Sequence, residues 1–403
     1  MSTTDPRPAP EAQFAALLTD EGRALLDEVR DTDPARELAV ATRLRRDHPA
    51  ELVNAALAQA RLRQRAVAKF GAEDAARMFF TPDGVEQATR TSVAAYRAGR
   101  MRDLGVTSVA DLCCGIGGDA LALARAGIRV LAVDRSPLTC AVARANAQAL
   151  GLADLIEVRE AEVTEVAVDG YDAVFVDPAR RGGRGRIFDP EAYSPPLSLA
   201  VDAVRKAGRG ALKIAPGVPH EAVPEGVETE WISDRGDLKE AVLWFGTDAP
   251  DSRRSTLLPG GATLTAALDR LPPDPPVRPV GRYLYEPDPA VIRARLVASV
   301  AERVSGGLLD ATIAYVTSDE LRPTPFATAY EVTDHLPFHV KRLKALLRER
   351  GVGALTVKKR GSAVEPEELR RKVQPLRGPH AATVFLTRVA GAPTMLIGHP
   401  VGT

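Results

Sequence analysis

Between residues 108 and 215 the hydrophobic pattern switches back and forth between two periods, and this constrains the chain more than any other feature. Short β-rich runs at 108–114, 129–134, 156–160, 171–177 and 210–215 alternate with helical stretches at 118–126, 137–150 and roughly 196–207. Strand, helix, strand in repetition requires a parallel sheet covered by helices on both faces. Two further runs, Glu228–Ser233 and Glu240–Phe245, are separated only by Asp234–Lys239. That is too short for a crossover, so they are expected to pair antiparallel at one sheet edge.

The flanks read differently. Residues 11 to about 100 are helical, with Phe14, Leu17, Leu18, Leu25 and Val29 spaced to share a face and Thr19 placed to cap a helix. Asp33-Pro34 and His48-Pro49 mark boundaries, because a residue before proline is pushed out of the helical region. Thr81-Pro82 starts another helix, with proline in the first turn. Downstream, Leu271–Pro279 holds five prolines in nine residues and reads as a linker. The expected organisation is a helical region at 1–100, an α/β core at 101–250, an extension with a proline-rich linker at 251–281 and a small α/β domain at 282–403. Four hundred and three residues are indeed too many for one core.

Composition sets the class. With 45% hydrophobic and 26% charged residues the chain is a soluble globular one, neither disordered nor fibrous. No run approaches the roughly 18 apolar residues of a membrane helix, and the N-terminus lacks a secretory pattern. Three cysteines, Cys113, Cys114 and Cys140, are too few for a disulfide framework, so a cytoplasmic setting is expected. Basic and acidic residues balance at 53 each, so only their distribution carries information. Nine lysines against 44 arginines read as codon bias rather than as a sign of binding.

The sharpest local feature is Asp111-Leu112-Cys113-Cys114-Gly115-Ile116-Gly117-Gly118-Asp119, after one predicted strand and opening a helix. Its glycines allow a tight turn and close approach of a ligand. Gly115, Gly117 and Ala120 also satisfy a dinucleotide fingerprint, so the glycines alone decide nothing. Asp111 decides. A carboxylate at the strand end repels a pyrophosphate but suits the ammonium of a methionine moiety. Asp134 ends the next strand, 23 residues on, where an acid commonly accepts from ribose hydroxyls; Arg135 follows it. Glu162, after the third strand, is placed to accept from an adenine amino group.

These residues resemble a class I S-adenosylmethionine-dependent methyltransferase: the Asp-x-Cys-x-Gly-x-Gly-Gly run, Asp134, and Asn146-Ala147 followed by Gly151. Residues 109–190 are most similar to trimethylguanosine synthase, which methylates an exocyclic guanine amine. Phe80-Thr81-Pro82-Asp83 is similar to a segment of that enzyme, which implies that Thr81 contributes to the cofactor pocket. Tyr283-Leu284-Tyr285-Glu286-Pro287-Asp288 and the segment around Val357–Gly361 resemble a THUMP-like C-terminal domain. The resemblance implies a Rossmann-like seven-stranded core, a helical N-terminal region, a C-terminal THUMP-like domain and S-adenosyl-L-methionine as cofactor, bound by Thr81, Asp111, Cys113, Gly115, Gly117, Asp134, Arg135, Glu162 and Asp177.

On the acceptor side, the fourth strand ends Asp177-Pro178-Ala179-Arg180. Amine-methylating members of the family carry here a polar residue, two prolines and an aromatic, and the polar side chain and next carbonyl align the target amine. By that resemblance Asp177 and Pro178 are the catalytic pair. Ala179 and Arg180 depart from the pattern, which puts guanine specificity in doubt. Arg180, Arg181, Arg184 and Arg186, interleaved with three glycines, form a basic loop suited to a phosphate backbone. No cysteine follows residue 140, so a route through a cysteine nucleophile to a pyrimidine ring carbon is closed. The six histidines are too scattered for a metal site.

Residues 338–377 hold 12 Lys or Arg against 4 Glu, and Lys358-Lys359-Arg360 follows a short strand. Such local excess points to structured RNA, tRNA or rRNA, as partner. The expected function is methylation of an exocyclic base amine in RNA. The rivals are a small-molecule or protein methyltransferase and a non-catalytic module that binds cofactor or RNA.

Overall fold

The structure, a computed structural model, describes residues 9–179, 181–182, 185–186 and 189–402, with backbone alone at 181–182 and 185–186. The chain forms two compact units, Met1–Val227 with Val242–Asp248, and Glu228–Ala241 with Ala249–Thr403.

The first unit opens with helices α1 (Pro10–Leu17), α2 (Asp20–Glu28), α3 (Glu37–Leu44), α4 (Ala50–Phe70), α5 (Ala72–Arg77), α6 (Pro82–Gln87) and α7 (Thr91–Asp103). Their starts follow the sequence signals. The hydroxyl of Thr19 accepts from Gly22 N–H at 3.1 Å, and that of Thr81 from Gly84 N–H at 3.0 Å. Helices α1, α2 and α3 pack on α4, which buries Leu52, Val53, Ala56, Leu57 and Ala60. The same helix buries two polar side chains, and both hold the extended segment ahead of Thr81. Gln59 exchanges hydrogen bonds with the N–H and C=O of Phe80 at 2.8 and 3.1 Å, and Arg63 Nε donates to the Met78 carbonyl at 2.9 Å.

The core follows as β1 (Ser108–Leu112), α8 (Gly118–Arg125), β2 (Arg129–Asp134), α9 (Pro137–Ala149), β3 (Ile156–Glu160), β4 (Ala173–Val176), the short pair β5 (Arg181–Gly182) and β6 (Gly185–Arg186), α10 (Leu197–Ala207) and β7 (Gly210–Ile214). Five strands run parallel in the order β3-β2-β1-β4-β7. Every residue of β1 and β4 is buried, as expected of strands covered on both faces. The order reverses between β1 and β4, which opens a crevice at their carboxyl ends. This is the Rossmann-like core that the resemblance implies. From α9, Asn146 reaches back to the Phe79 backbone, accepting from its N–H at 2.6 Å and donating to its carbonyl at 3.0 Å and to that of Ile116 at 2.9 Å. One side chain thus ties the segment before Thr81 to the glycine loop.

The second unit contains β8 (Glu228–Asp234), the start of β9 (Asp237–Phe245), β10 (Ser252–Leu258), β11 (Ala262–Ala267), β12 (Tyr283–Pro287), α11 (Pro289–Arg293), α12 (Val297–Arg303), β13 (Gly307–Asp310), β14 (Ile313–Ser318), β15 (Ala327–Pro337), α13 (Val340–Glu349), β16 (Val352–Lys359), α14 (Pro366–Val373), β17 (His380–Val389) and β18 (Ala392–Pro400). The connection expected over 234–239 narrows to Arg235-Gly236. Both residues adopt positive φ, 55° and 80°, as a two-residue hairpin turn requires. The stretch expected to be a weakly structured extension carries the antiparallel pair β10–β11, and β10 pairs parallel with β8, so β8 and β9 do not form the sheet edge expected of them. The proline-rich segment lies along β13, with Leu308 N–H donating to the Pro276 carbonyl and Arg278 N–H to the Leu308 carbonyl. The chain passes from one unit to the other at 227/228, 241/242 and 248/249.

A seven-stranded sheet, β13-β14-β12-β15-β18-β17-β16, fills the rest of this unit. Alternation along β17 splits the core in two: Val384 and Leu386 pack with Leu343, Leu347, Leu369 and Val373 of α13 and α14, while Phe385 joins Tyr315 and Tyr330.

Candidate active site

The carboxyl ends of β1, β2 and β4 converge on a cavity of about 340 Å³ whose walls include Thr81, Asp111, Cys113, Gly115, Asp134 and Asp177. Local geometry explains the loop. Cys113, Gly115 and Gly117 adopt positive φ of 69°, 56° and 88°, which is uncommon for the cysteine. Gly117 turns the chain into α8 and lines neither this cavity nor its neighbour. Asp134 holds the loop in place, its Oδ2 accepting from Gly115 N–H at 3.1 Å and its Oδ1 from Ser136 N–H at 2.9 Å.

The charge of this cavity is its main chemical property. Asp111, Asp119, Asp134 and Asp177 all border it. Asp111 is 0% exposed, and among the described residues neither carboxylate oxygen has a hydrogen-bond partner. Burial, reinforced by Asp119 and Asp177, pushes its pKa far above the usual carboxylate range, and Arg97 works against this. A buried orphan carboxylate calls for a cationic ligand. The cysteines here are poor nucleophiles, because burial and the neighbouring carboxylates push the thiols of Cys113 and Cys114 up.

A second cavity of about 380 Å³ shares Cys113 and Asp134 with the first and adds Arg135, Glu162 and Ala179 among apolar walls such as Val163, Pro196 and Leu199. Glu162 also caps a short 3₁₀ turn with Glu165. Pro178 is buried and lines neither cavity.

Sequence reasoning missed the groups that hold Asp177. Lys213 on β7, 4% exposed, places its ammonium 2.5 Å from Asp177 Oδ2 and 2.9 Å from the hydroxyl of Thr89. That hydroxyl donates to Asp119 at 3.3 Å, and Asp119 pairs with buried Arg97 of α7. Two ion pairs are thereby joined through one threonine. A signal was available: Lys213 is a lone cation within the apolar strand Gly210-Ala211-Leu212-Lys213-Ile214, in a chain that uses lysine only nine times.

Other expected site residues lie elsewhere. Arg180 and Arg184 are outside the described residues, as is the side chain of Arg181. In the second unit, Lys358 pairs with Glu286, Arg360 lies 3.8 Å from the same carboxylate, and Lys359 turns to Glu365 at 2.5 Å. The basic run expected at Lys358–Arg360 is thus divided by strand alternation, and each of its charges has an acidic partner. Lys358, Arg360 and Glu286 border a cavity of about 710 Å³ with Asp288 and Thr328. By contrast, Lys341, Arg342 and Arg348 on α13 are exposed, with no acidic partner among the described residues.

Residues 109–179 match the methyltransferase domain family, residues 327–400 the THUMP domain-like family, and residues 11–66 a domain family of unknown function. The chain is 37% identical over 341 residues to a Mycobacterium tuberculosis (strain H37Rv) protein named uncharacterized S-adenosylmethionine-dependent methyltransferase Rv3037c, covering 81% of this chain and 90% of that one. It is 34% identical over 105 residues to the 23S rRNA (uracil(1939)-C(5))-methyltransferase RlmD of Dechloromonas aromatica, covering 26% of this chain and 22% of that one. The crystal structure of a putative methyltransferase from Porphyromonas gingivalis W83 superposes with a TM-score of 0.79 at 20% identity, covering 98% of this chain and 100% of that one. With the acidic crevice at the switch point of its sheet and a relative matched over nine-tenths of that relative's length, the chain belongs to the S-adenosylmethionine-dependent methyltransferases.

Proposed function

We propose that the two joined cavities hold S-adenosyl-L-methionine, with Asp111 facing the ammonium, Asp134 the ribose hydroxyls and Glu162 the adenine. The cofactor supplies an electrophilic methyl group on a sulfonium. Orphaned, buried Asp111 is the feature that best fits such a cation. Asp134 accepts one loop N–H on each oxygen and retains lone pairs for two hydroxyls. Asp134→Ala is expected to weaken cofactor binding tenfold or more in calorimetry, since each charge-assisted hydrogen bond is worth roughly 1.5–3 kcal/mol. Unchanged affinity would remove Asp134 from the pocket.

The acceptor is proposed to be an exocyclic base amine of structured RNA. Asp177 carries this reading: it directly follows β4 at the cavity, one oxygen fixed by Lys213 and the other, among the described residues, open to accept a hydrogen bond from an amine. The likeness to RlmD covers 26% of the chain and concerns an enzyme acting on a uracil carbon. Carbon methylation of that kind needs a reactive cysteine, and the thiols of Cys113 and Cys114, both pushed up, favour nitrogen instead. Nucleoside mass spectrometry of RNA from a deletion strain tests the reading. It is expected to show loss of one N-methylated purine, and an unaltered nucleoside profile would refute it.

RNA docking is assigned to the THUMP-like domain, and more to the exposed face of α13 than to Lys358–Arg360. Reversing Lys341, Arg342 and Arg348 together to glutamate is expected to lower affinity of the full chain for tRNA-sized RNA more than tenfold and to flatten its salt dependence, because phosphate contacts release counterions. Equal binding by the triple variant would place the docking surface elsewhere.

A further inference from the structure

A third cavity in the first unit, about 360 Å³, shares no lining residue with the candidate active site. Four arginines, Arg23, Arg30, Arg63 and Arg77, line it against a single acid, Asp27, beside the apolar Leu18 and Leu26. Local contacts absorb part of this charge. Arg30 pairs with Asp27, Arg23 Nε donates to the Leu18 carbonyl at 3.1 Å, and Arg77 donates to the Ala149 carbonyl.

Arg63 is different. It is 9% exposed, its Nε is held by the Met78 carbonyl, and its guanidinium lies 5.1 Å from the centre of the Phe79 ring. Among the described residues nothing accepts a hydrogen bond from its terminal amino groups. Asp27 sustains its charge but is already engaged with Arg30, and burial works against the Arg63 charge more strongly than Asp27 sustains it. Arginine cannot shed its proton, so a guanidinium mostly withdrawn from water, with an unused fork of donors at the cavity wall, is suited to an anion. The fork matches phosphate oxygens in geometry. The excess of three positive charges matches a phosphomonoester, which carries about −1.5 to −2 at pH 7, better than a phosphodiester or carboxylate with one charge.

We propose that this cavity binds a phosphomonoester, carried either by a free nucleotide or by the 5′ end of an RNA. The site stands independently of the methyl acceptor proposed above. Calorimetry on the full chain, with the cofactor pocket saturated by S-adenosylhomocysteine, tests it. The probes are inorganic phosphate, uridine 5′-monophosphate against uridine, and one oligoribonucleotide with and without its 5′ phosphate. Phosphorylated probes are expected to bind and their hydroxyl counterparts not. Affinity should be about fourfold tighter at pH 7.5 than at pH 5.5, because the second ionisation lies near pH 6. Arg63→Gln and Arg23→Gln should each weaken binding at least about tenfold, which is the loss of one charged hydrogen bond. Arg23 is exposed, so its variant keeps the test valid if Arg63→Gln fails to fold. Binding of the mononucleotide alone marks a small-molecule site, and binding of the oligonucleotide alone marks an RNA end. Absence of phosphate-dependent binding at millimolar concentration, or binding that the folded variants leave unchanged, overturns the proposal.

Discussion

Asp177→Ala is expected to lower turnover about a hundredfold or more while cofactor affinity moves by less than about threefold, roughly 0.6 kcal/mol. A group that only orients the acceptor contributes to the transition state and leaves the bound cofactor alone. The ion pair with Lys213 adds a complication that the experiment must separate. Lys213 is 5% exposed at its side chain, so removing Asp177 strands a buried ammonium and destabilises the fold by several kcal/mol. The double variant Asp177→Ala/Lys213→Met removes both charges and should recover most of that stability without recovering turnover. Asp177→Asn should be milder, since its amide oxygen still accepts a hydrogen. If the double variant regains activity, the role of Asp177 is to neutralise Lys213. If Asp177→Ala keeps full activity on RNA, the acceptor is gripped elsewhere.

What could be read in the sequence, and what could not, divides along physical lines. The acids Asp111, Asp134 and Asp177 were found because parallel strands bring their carboxyl ends together, so strand-end position alone predicts a shared crevice. Thr19 and Thr81 were legible for a similar reason, as a cap is a local signal. Lys213, Arg97 and Thr89 escaped because their partners lie 36, 22 and 30 residues away and their roles depend on burial. The basic C-terminal segment was legible as charge but not as surface. Counting lysines cannot show that Glu286, 72 residues from Lys358, sits between Lys358 and Arg360. The β10–β11 pair was missed although Pro259-Gly260-Gly261 is a turn signal, because Arg253 and Arg254 obscure the strand alternation before it.

Asp111→Asn is expected to raise the stability of the cofactor-free protein and to weaken cofactor binding at least about thirtyfold, or 2 kcal/mol, the lower end for breaking a buried charge pair. Both effects come from one carboxyl. Without a ligand, Asp111 is buried with no hydrogen-bond partner among the described residues and feels Asp119, Asp177 and Asp134, with Arg97 an opposing charge. Its folded pKa is therefore raised above its unfolded one, so the folded state binds more protons between the two values. Stability is fully present below the ordinary carboxylate range and declines as pH rises toward the raised pKa. The asparagine variant lacks this decline, so its gain in melting temperature should be clear at pH 7 and shrink toward pH 4. A bound ammonium reverses the preference and favours the ionised carboxyl. Wild-type binding should then release protons, detectable as calorimetric heats that vary with the ionisation enthalpy of the buffer, and binding by Asp111→Asn should release fewer. A variant that binds the cofactor normally would show that Asp111 does not face the ammonium. One that is less stable than wild type would show that its carboxylate has a structural partner after all.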